Sequence, residues 1–131
     1  PVDRSPDSFA AVARRVMQAG FSTAKCAPFD ECQAPFNTNG LPKETEMGLD
    51  RIRAAKAIIG PERTLLVDCH SRFDLDSALA LEPEVREAGA GWYEEPVDPS
   101  LRSTIPLNQE EESALPEAGF VEQPSRKHLW V

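Results

Sequence analysis

Four residues have the types and spacing to do chemistry together: Lys25, Asp68, His70 and Glu94. Asp68 closes the apolar run LLVD and opens the pattern D-C-H-S-R. Glu94 closes GWYE and is followed by Glu95 and Pro96. The two carboxylates stand 26 residues apart, about one strand–helix repeat of an α/β fold. Parallel strands present their C-terminal ends at one edge, where ligands bind, so carboxylates on neighbouring ends converge. Hard cations such as Mg²⁺ take oxygen ligands, usually a few carboxylates plus water and substrate. Asp68 and Glu94 therefore read as half of a cation site. Either acid alone would read as a helix cap or a surface ion pair; the pairing at this interval, with Lys25 on the preceding strand, favours the cation. A histidine with a pKa near about 6.5 can give or take a proton near neutrality. On the residues alone, though, His70 reads first as a loop histidine held by hydrogen bonds.

These side chains need a scaffold, and the pattern supplies one. Leu65 to Pro96 reads as strand, helix, strand. The strands are Thr64 to Val67 and Trp92 to Glu94. The helix, Leu75 to Ala88, turns Leu75, Ala78, Leu79 and Val85 inward, with a kink or break expected near Glu82 because of Pro83. Upstream, Ser8 to Ala19 spaces Phe9, Val12, Val16 and Met17 helically, with Asp7 or Ser8 as cap and Gly20 as terminator. Phe21 to Cys26 reads as a strand with Lys25 near its end, and Asp30 to Glu44 as a long loop, a lid or a plain surface excursion. Thr45 to Ile59 is a helix whose stripe of Met47, Leu49, Ile52, Ala55 and Ile59 faces a core. The order α-β-α-β-α-β predicts an α/β fold with parallel strands. Residues 1–99 form that unit and 100–131 an irregular tail. Within the tail, a short helix at Gln109 to Leu115 and one further strand at Gly119 to Glu122 are the candidates. His128 is expected at the surface.

At 131 residues the chain suits one domain. A net charge of −8 argues against nucleic acid or an anionic membrane as partner. No apolar run approaches the ~20 residues of a membrane span, and the N-terminus PVDRSPDSF lacks the features of a signal peptide. The first residue is not Met, so a processed chain or a piece of a longer one is expected. Three cysteines without CxxC spacing fit a reducing cytoplasm better than a disulfide framework or structural zinc. Cys26 and Cys69 lie near the presumed site, and packing explains them most simply.

The stretches GFSTAK, GLDRIRAAKAIIG, LLVDCHSRFD and GWYEEP together resemble the barrel domain of the enolase superfamily, the mandelate racemase and muconate-lactonizing group. The D-x-H-x-R run followed by EEP at the right interval is the most specific part. The resemblance implies a partial (β/α) TIM-type barrel over residues 1–99, an incomplete fragment of the enolase C-terminal type. It implies Mg²⁺ bound by Asp68 and Glu94, with Glu95 behind them. The D-x-H-x-R form is most like the acid-sugar dehydratases, lyases that abstract the proton α to a carboxylate and expel a β-hydroxyl. By that match His70 is the general acid, Arg72 contacts the substrate carboxylate or the fold, and the partner is a small sugar acid (aldonate or aldarate).

This sequence also departs from the family pattern. Family members carry Lys-x-Lys at the end of the second barrel strand; Lys25 matches the first lysine as catalytic residue, but Ala27 stands at the second. That weakens racemase-type chemistry. A third metal ligand is expected one repeat beyond Glu94, where Phe120 stands, so Glu122 is the nearest stand-in. A barrel arc of three or four strands leaves an unpaired edge, which predicts association, including a homo-oligomer, or membership of a longer protein. The alternative function is a barrel remnant or interaction module without catalysis.

Overall fold

The structure, a computed structural model, describes residues 3–32, 43–100 and, as backbone, 128–130. These residues form α1 (Pro6–Gln18), β1 (Thr23–Cys26), α2 (Lys43–Ile59), β2 (Thr64–Asp68), α3 (Leu75–Glu87), β3 (Trp92–Glu94) and β4 (His128–Trp130). The strands make one parallel sheet in the order β3-β2-β1-β4. Glu122 and the tail segments at 109–115 and 119–122 lie outside the described residues, as does most of the long loop after Asp30. The strand β4, which lines up Thr23 with His128, was not anticipated; three residues of mixed polarity carry no period to read.

Strand alternation divides the sheet into two faces. The register aligns Ala24 with Leu65 and Cys26 with Val67, all four of them buried. On these residues pack Phe9, Ala13 and Val16 of α1, Leu49, Ile52, Ala55 and Ile59 of α2, and Ala78, Leu81 and Val85 of α3. Ile52, Ile59, Leu65 and Leu81 are fully buried, worth about 1.5–3 kcal/mol each against exposure. The opposite face carries the row Lys25, Leu66 and Trp92, and beyond it Asp68 beside Glu94. All the polar candidates that lie on strands thus share the face the helices leave uncovered.

Several local expectations need correction. The N-cap of α1 is Ser5, whose side chain accepts from the Ser8 N–H, with Pro6 opening the helix. Neither Asp7 nor Ser8 caps; proline in the first turn moves the start upstream, because the absent N–H costs nothing there. Met47 and Leu79 are not core residues, being 47% and 64% exposed. In α2 the buried stripe is completed by Thr45, Gly48 and Arg51, and in α3 by Leu81. Pro83 does not break α3, which runs on to Glu87. Proline there removes the donor that the Leu79 carbonyl would have used, and Leu79 lies on the exposed side of the helix.

Two contacts matter most for the site. Gly48 of α2 lies so close to Phe29 that a Cβ would come within 2.2 Å of the ring. Phe29 in turn meets Phe73 edge-to-face at 5.3 Å between centroids. This pair joins the loop after β1 to the loop after β2.

Candidate active site

The ends of β1, β2 and β3 bring Lys25, Asp68 and Glu94 together. The Lys25 Nζ is 3.1 Å from Asp68 Oδ2 and 2.6 Å from Glu94 Oε2. Asp68 is nearly buried, with a side chain 8% exposed; Lys25 is 18% and Glu94 34% exposed. Burial works to lower the Lys25 pKa, but hydrogen bonds and charge from Glu94 and Asp68 outweigh it and hold the ammonium above its usual value of 10.5. Lys25 is therefore a fixed cation at neutral pH.

The backbone around these side chains is laced together. Asp68 Oδ1 accepts the His70 N–H at 3.1 Å, an Asx-type turn that starts the loop after β2. Its other oxygen faces Lys25. The loop is then zipped to the segment after β3: Cys69 N–H donates to the Glu94 carbonyl, Ser71 to Glu95 and Phe73 to Pro96, at 2.9, 2.7 and 2.9 Å. His70, Ser71 and Glu95 sit at φ of 48°, 57° and 42°. Left-handed backbone at non-glycine residues is costly and persists where neighbours enforce it, often at functional sites. Helix capping falls to Asp74, which accepts from Ser77 N–H at 2.8 Å, so Asp68 is not tied up in that task.

His70 lies over this group. Its Nε2 is 3.5 Å from Asp68 Oδ2, and its Nδ1 is 2.8 Å from Asp30 Oδ1. Asp30 lies in the loop after β1. Arg4 Nη1 lies 3.5 Å from Asp30 Oδ2, and Arg4 Nε donates to Glu31 at 2.6 Å. The buried Arg51 donates to both Glu31 oxygens, at 2.6 and 3.0 Å, and to the Pro28 carbonyl at 2.8 Å. Burial tends to raise the Glu31 pKa, but the bonds from Arg51 and Arg4 prevail and hold it below 4.5. The signal that could have found this cluster was Asp30-Glu31 two residues past the proline that ends β1, with an arginine on the apolar stripe of the next helix.

Arg72 buries its Nε, which meets no hydrogen-bond partner among the described residues. Glu95 is exposed, and its carbonyl accepts from the Ser71 N–H. The three thiols are buried and free. Desolvation raises Cys26 to about 12 and Cys32 to about 11, and lifts Cys69 as well, so none is a nucleophile at neutral pH.

Two carboxylate oxygens on one cation, partly dry, suit a hard metal ion, and Lys25 shows that a positive charge fits between them. Asp68 and Glu94 would be two of its ligands. Among the described residues no group of three or more His, Cys, Asp or Glu is placed to hold a metal.

With the geometry in place, comparison with known proteins identifies the class. The family model described as enolase C-terminal domain-like matches residues 8–116, and the chain belongs to that family. A curated relative, the D-gluconate/D-galactonate dehydratase of Picrophilus torridus, is 26% identical over 96 residues, covering 73% of this chain and 24% of the relative. A provisionally named dehydratase from Mesorhizobium loti superposes with a TM-score of 0.64 at 25% identity, over 76% of this chain and 26% of that one. Another, from Zymomonas mobilis ZM4, gives 0.66 at 22% identity, over 77% and 27%, and bears on fold alone. The chain thus spans about a quarter of the length of these relatives. The parallel α/β sheet is consistent with part of an enolase-type C-terminal barrel. Among the described residues no helix is long and apolar enough to cross a membrane.

Proposed function

We propose that the chain carries the cation-and-acid side of an Mg²⁺-dependent acid-sugar dehydratase of the enolase superfamily. The observation that supports this most is the convergence of Asp68 and Glu94 on one cation position, at 3.1 and 2.6 Å from the Lys25 Nζ. In this reading Asp68 and Glu94 hold Mg²⁺, with Glu122 as a further ligand and Glu95 behind them. The bound ion supplies positive charge where negative charge develops on the substrate carboxylate. Arg72 contacts the carboxylate of an aldonate or aldarate, or holds the fold around it. His70 holds a proton at Nε2 for the departing β-hydroxyl. The Cα–H proton goes to a base, the Cβ–O bond breaks, and the hydroxyl leaves as water with the proton from His70. The enol that remains becomes a 2-keto-3-deoxy acid. Lys25, once released from the two carboxylates, stabilises the same negative charge as a catalytic residue.

Ala27 at the position of a second lysine favours a second reading, a barrel remnant that has kept the packing and lost the chemistry. Incubation with Mg²⁺ and a panel of aldonates and aldarates separates the two. Slow release of a 2-keto-3-deoxy acid, abolished by His70→Asn, is expected. No product from any sugar acid, with the cation bound, would favour the remnant.

A further inference from the structure

We propose that Asp30 is the positioning residue of His70, fixing the proton that His70 can transfer on Nε2. This rests on His70 acting as the acid of the site, and it adds a residue from a different loop. An ionised carboxylate only accepts hydrogen bonds. With Asp30 Oδ1 at 2.8 Å from Nδ1, the ring nitrogen facing Asp30 must carry the hydrogen. Nε2, 3.5 Å from Asp68 Oδ2, is then the ring nitrogen turned toward the Lys25 and Glu94 groups. Asp30 and Asp68 face the ring, with Arg4 behind Asp30 and Lys25 behind Asp68. A carboxylate on one imidazole nitrogen that assigns the working proton to the other is the logic by which histidines are oriented in many sites.

The placement of Asp30 is built into the fold. Phe29 beside it is buried under Gly48 of α2 and against Phe73 of the loop that carries His70. The Cys32 N–H closes the turn onto the Phe29 carbonyl at 2.9 Å. On its outer side, Arg4 faces Asp30 and shares Glu31 with Arg51, whose Nε also donates to the Arg4 carbonyl at 2.5 Å. The chain Arg51–Glu31–Arg4–Asp30 therefore ties α2 to the ring of His70. His70 itself sits at a left-handed φ of 48°, a costly backbone that persists where neighbours enforce it.

Long-range ¹H–¹⁵N correlation spectra of the ¹⁵N-labelled 131-residue chain test the assignment directly. The sequence contains two histidines, so a His128→Gln variant identifies the His70 signals. At pH about 9, well above the ordinary histidine range, wild-type His70 is expected as the Nδ1–H tautomer. Asp30→Ala is expected to convert it to the Nε2–H form favoured by free imidazole, while the remaining amide spectrum keeps its dispersion. A wild-type ring in the Nε2–H form, or in rapid exchange between forms, overturns the proposal without any variant. So does an Nδ1–H signal that survives Asp30→Ala. The tautomer is independent of turnover: an Nδ1–H ring in a chain that dehydrates no sugar acid would sink the dehydratase reading and leave the role of Asp30 standing.

Discussion

Lys25 is the residue on which the electrostatics of the site turn. It neutralises two carboxylates that would otherwise repel across neighbouring strand ends. Lys25→Met keeps the length of the stem and removes the charge. It should cost about 1–2 kcal/mol in urea unfolding with chelator present, because Asp68 is left nearly buried without its cation. Millimolar Mg²⁺ should restore much of that loss in the variant and change the wild type less. Equal stability of the two proteins in chelator would contradict the role given to Lys25. Glu31 supplies a pH test. Its folded pKa is depressed, so its contribution is present above the unfolded value near 4.5 and is lost as pH falls through the lower, folded value. Acid unfolding should therefore steepen below about pH 4.5, and Glu31→Gln should flatten that limb when stability is followed by circular dichroism. At this scale the sequence was most readable where a residue type has one strong use. The places of Asp68, Glu94 and Lys25 at strand ends are legible from the apolar runs that lead into them. That of Asp30 is not, because its partner is 40 residues away and a loop carries no period to reveal it.

At the scale of elements, the loops after β1 and β2 are held at the working edge by helix packing. Gly48 is there because α2 must approach Phe29. Gly48→Ala would drive a methyl group into that ring, displacing Phe29, its contact with Phe73, and the turn that carries Asp30. A loss of about 1–3 kcal/mol is expected, measurable by thermal or urea unfolding, with the His70 ring signals shifting as well. An unchanged melting temperature would mean that the loop is not held from this side. The three helices and the strands β1 to β3 are legible: apolar residues recur at helical spacing, and glycine ends α1 and α2. The errors at Met47 and Leu79 share a cause. Both fall beside a stripe that Thr45, Gly48, Arg51 and Leu81 complete, and hydrophobicity alone cannot see that a threonine, a glycine and an arginine occupy the core. The arginine is tolerated because Glu31 and two backbone carbonyls receive its donors.

For the whole molecule, the division of the sheet into two faces is the main fact. One is packed by three helices. The other presents Leu66, a 60% exposed Trp92, and the acidic and basic groups at its C-terminal edge. In a closed barrel that second face is interior, and the edge is where ligands bind. The family match made the direction of this face interpretable. The strand β4 beside β1 could not be foreseen, because returning a distant segment parallel to the first strand is a topological choice that no local pattern states. The three buried thiols belong to the packed face. With their pKa values raised, they should resist thiol-specific reagents in the native chain at pH 8 and react together only on unfolding; rapid labelling of any one before unfolding would show that this face is more open than described. The central claim is that Asp68 and Glu94 form a cation half-site, and calorimetric titration with Mg²⁺ tests it most directly. Saturable binding by the wild type that is lost in Asp68→Ala is the predicted result. No binding, or binding that Asp68→Ala leaves unchanged, would contradict it.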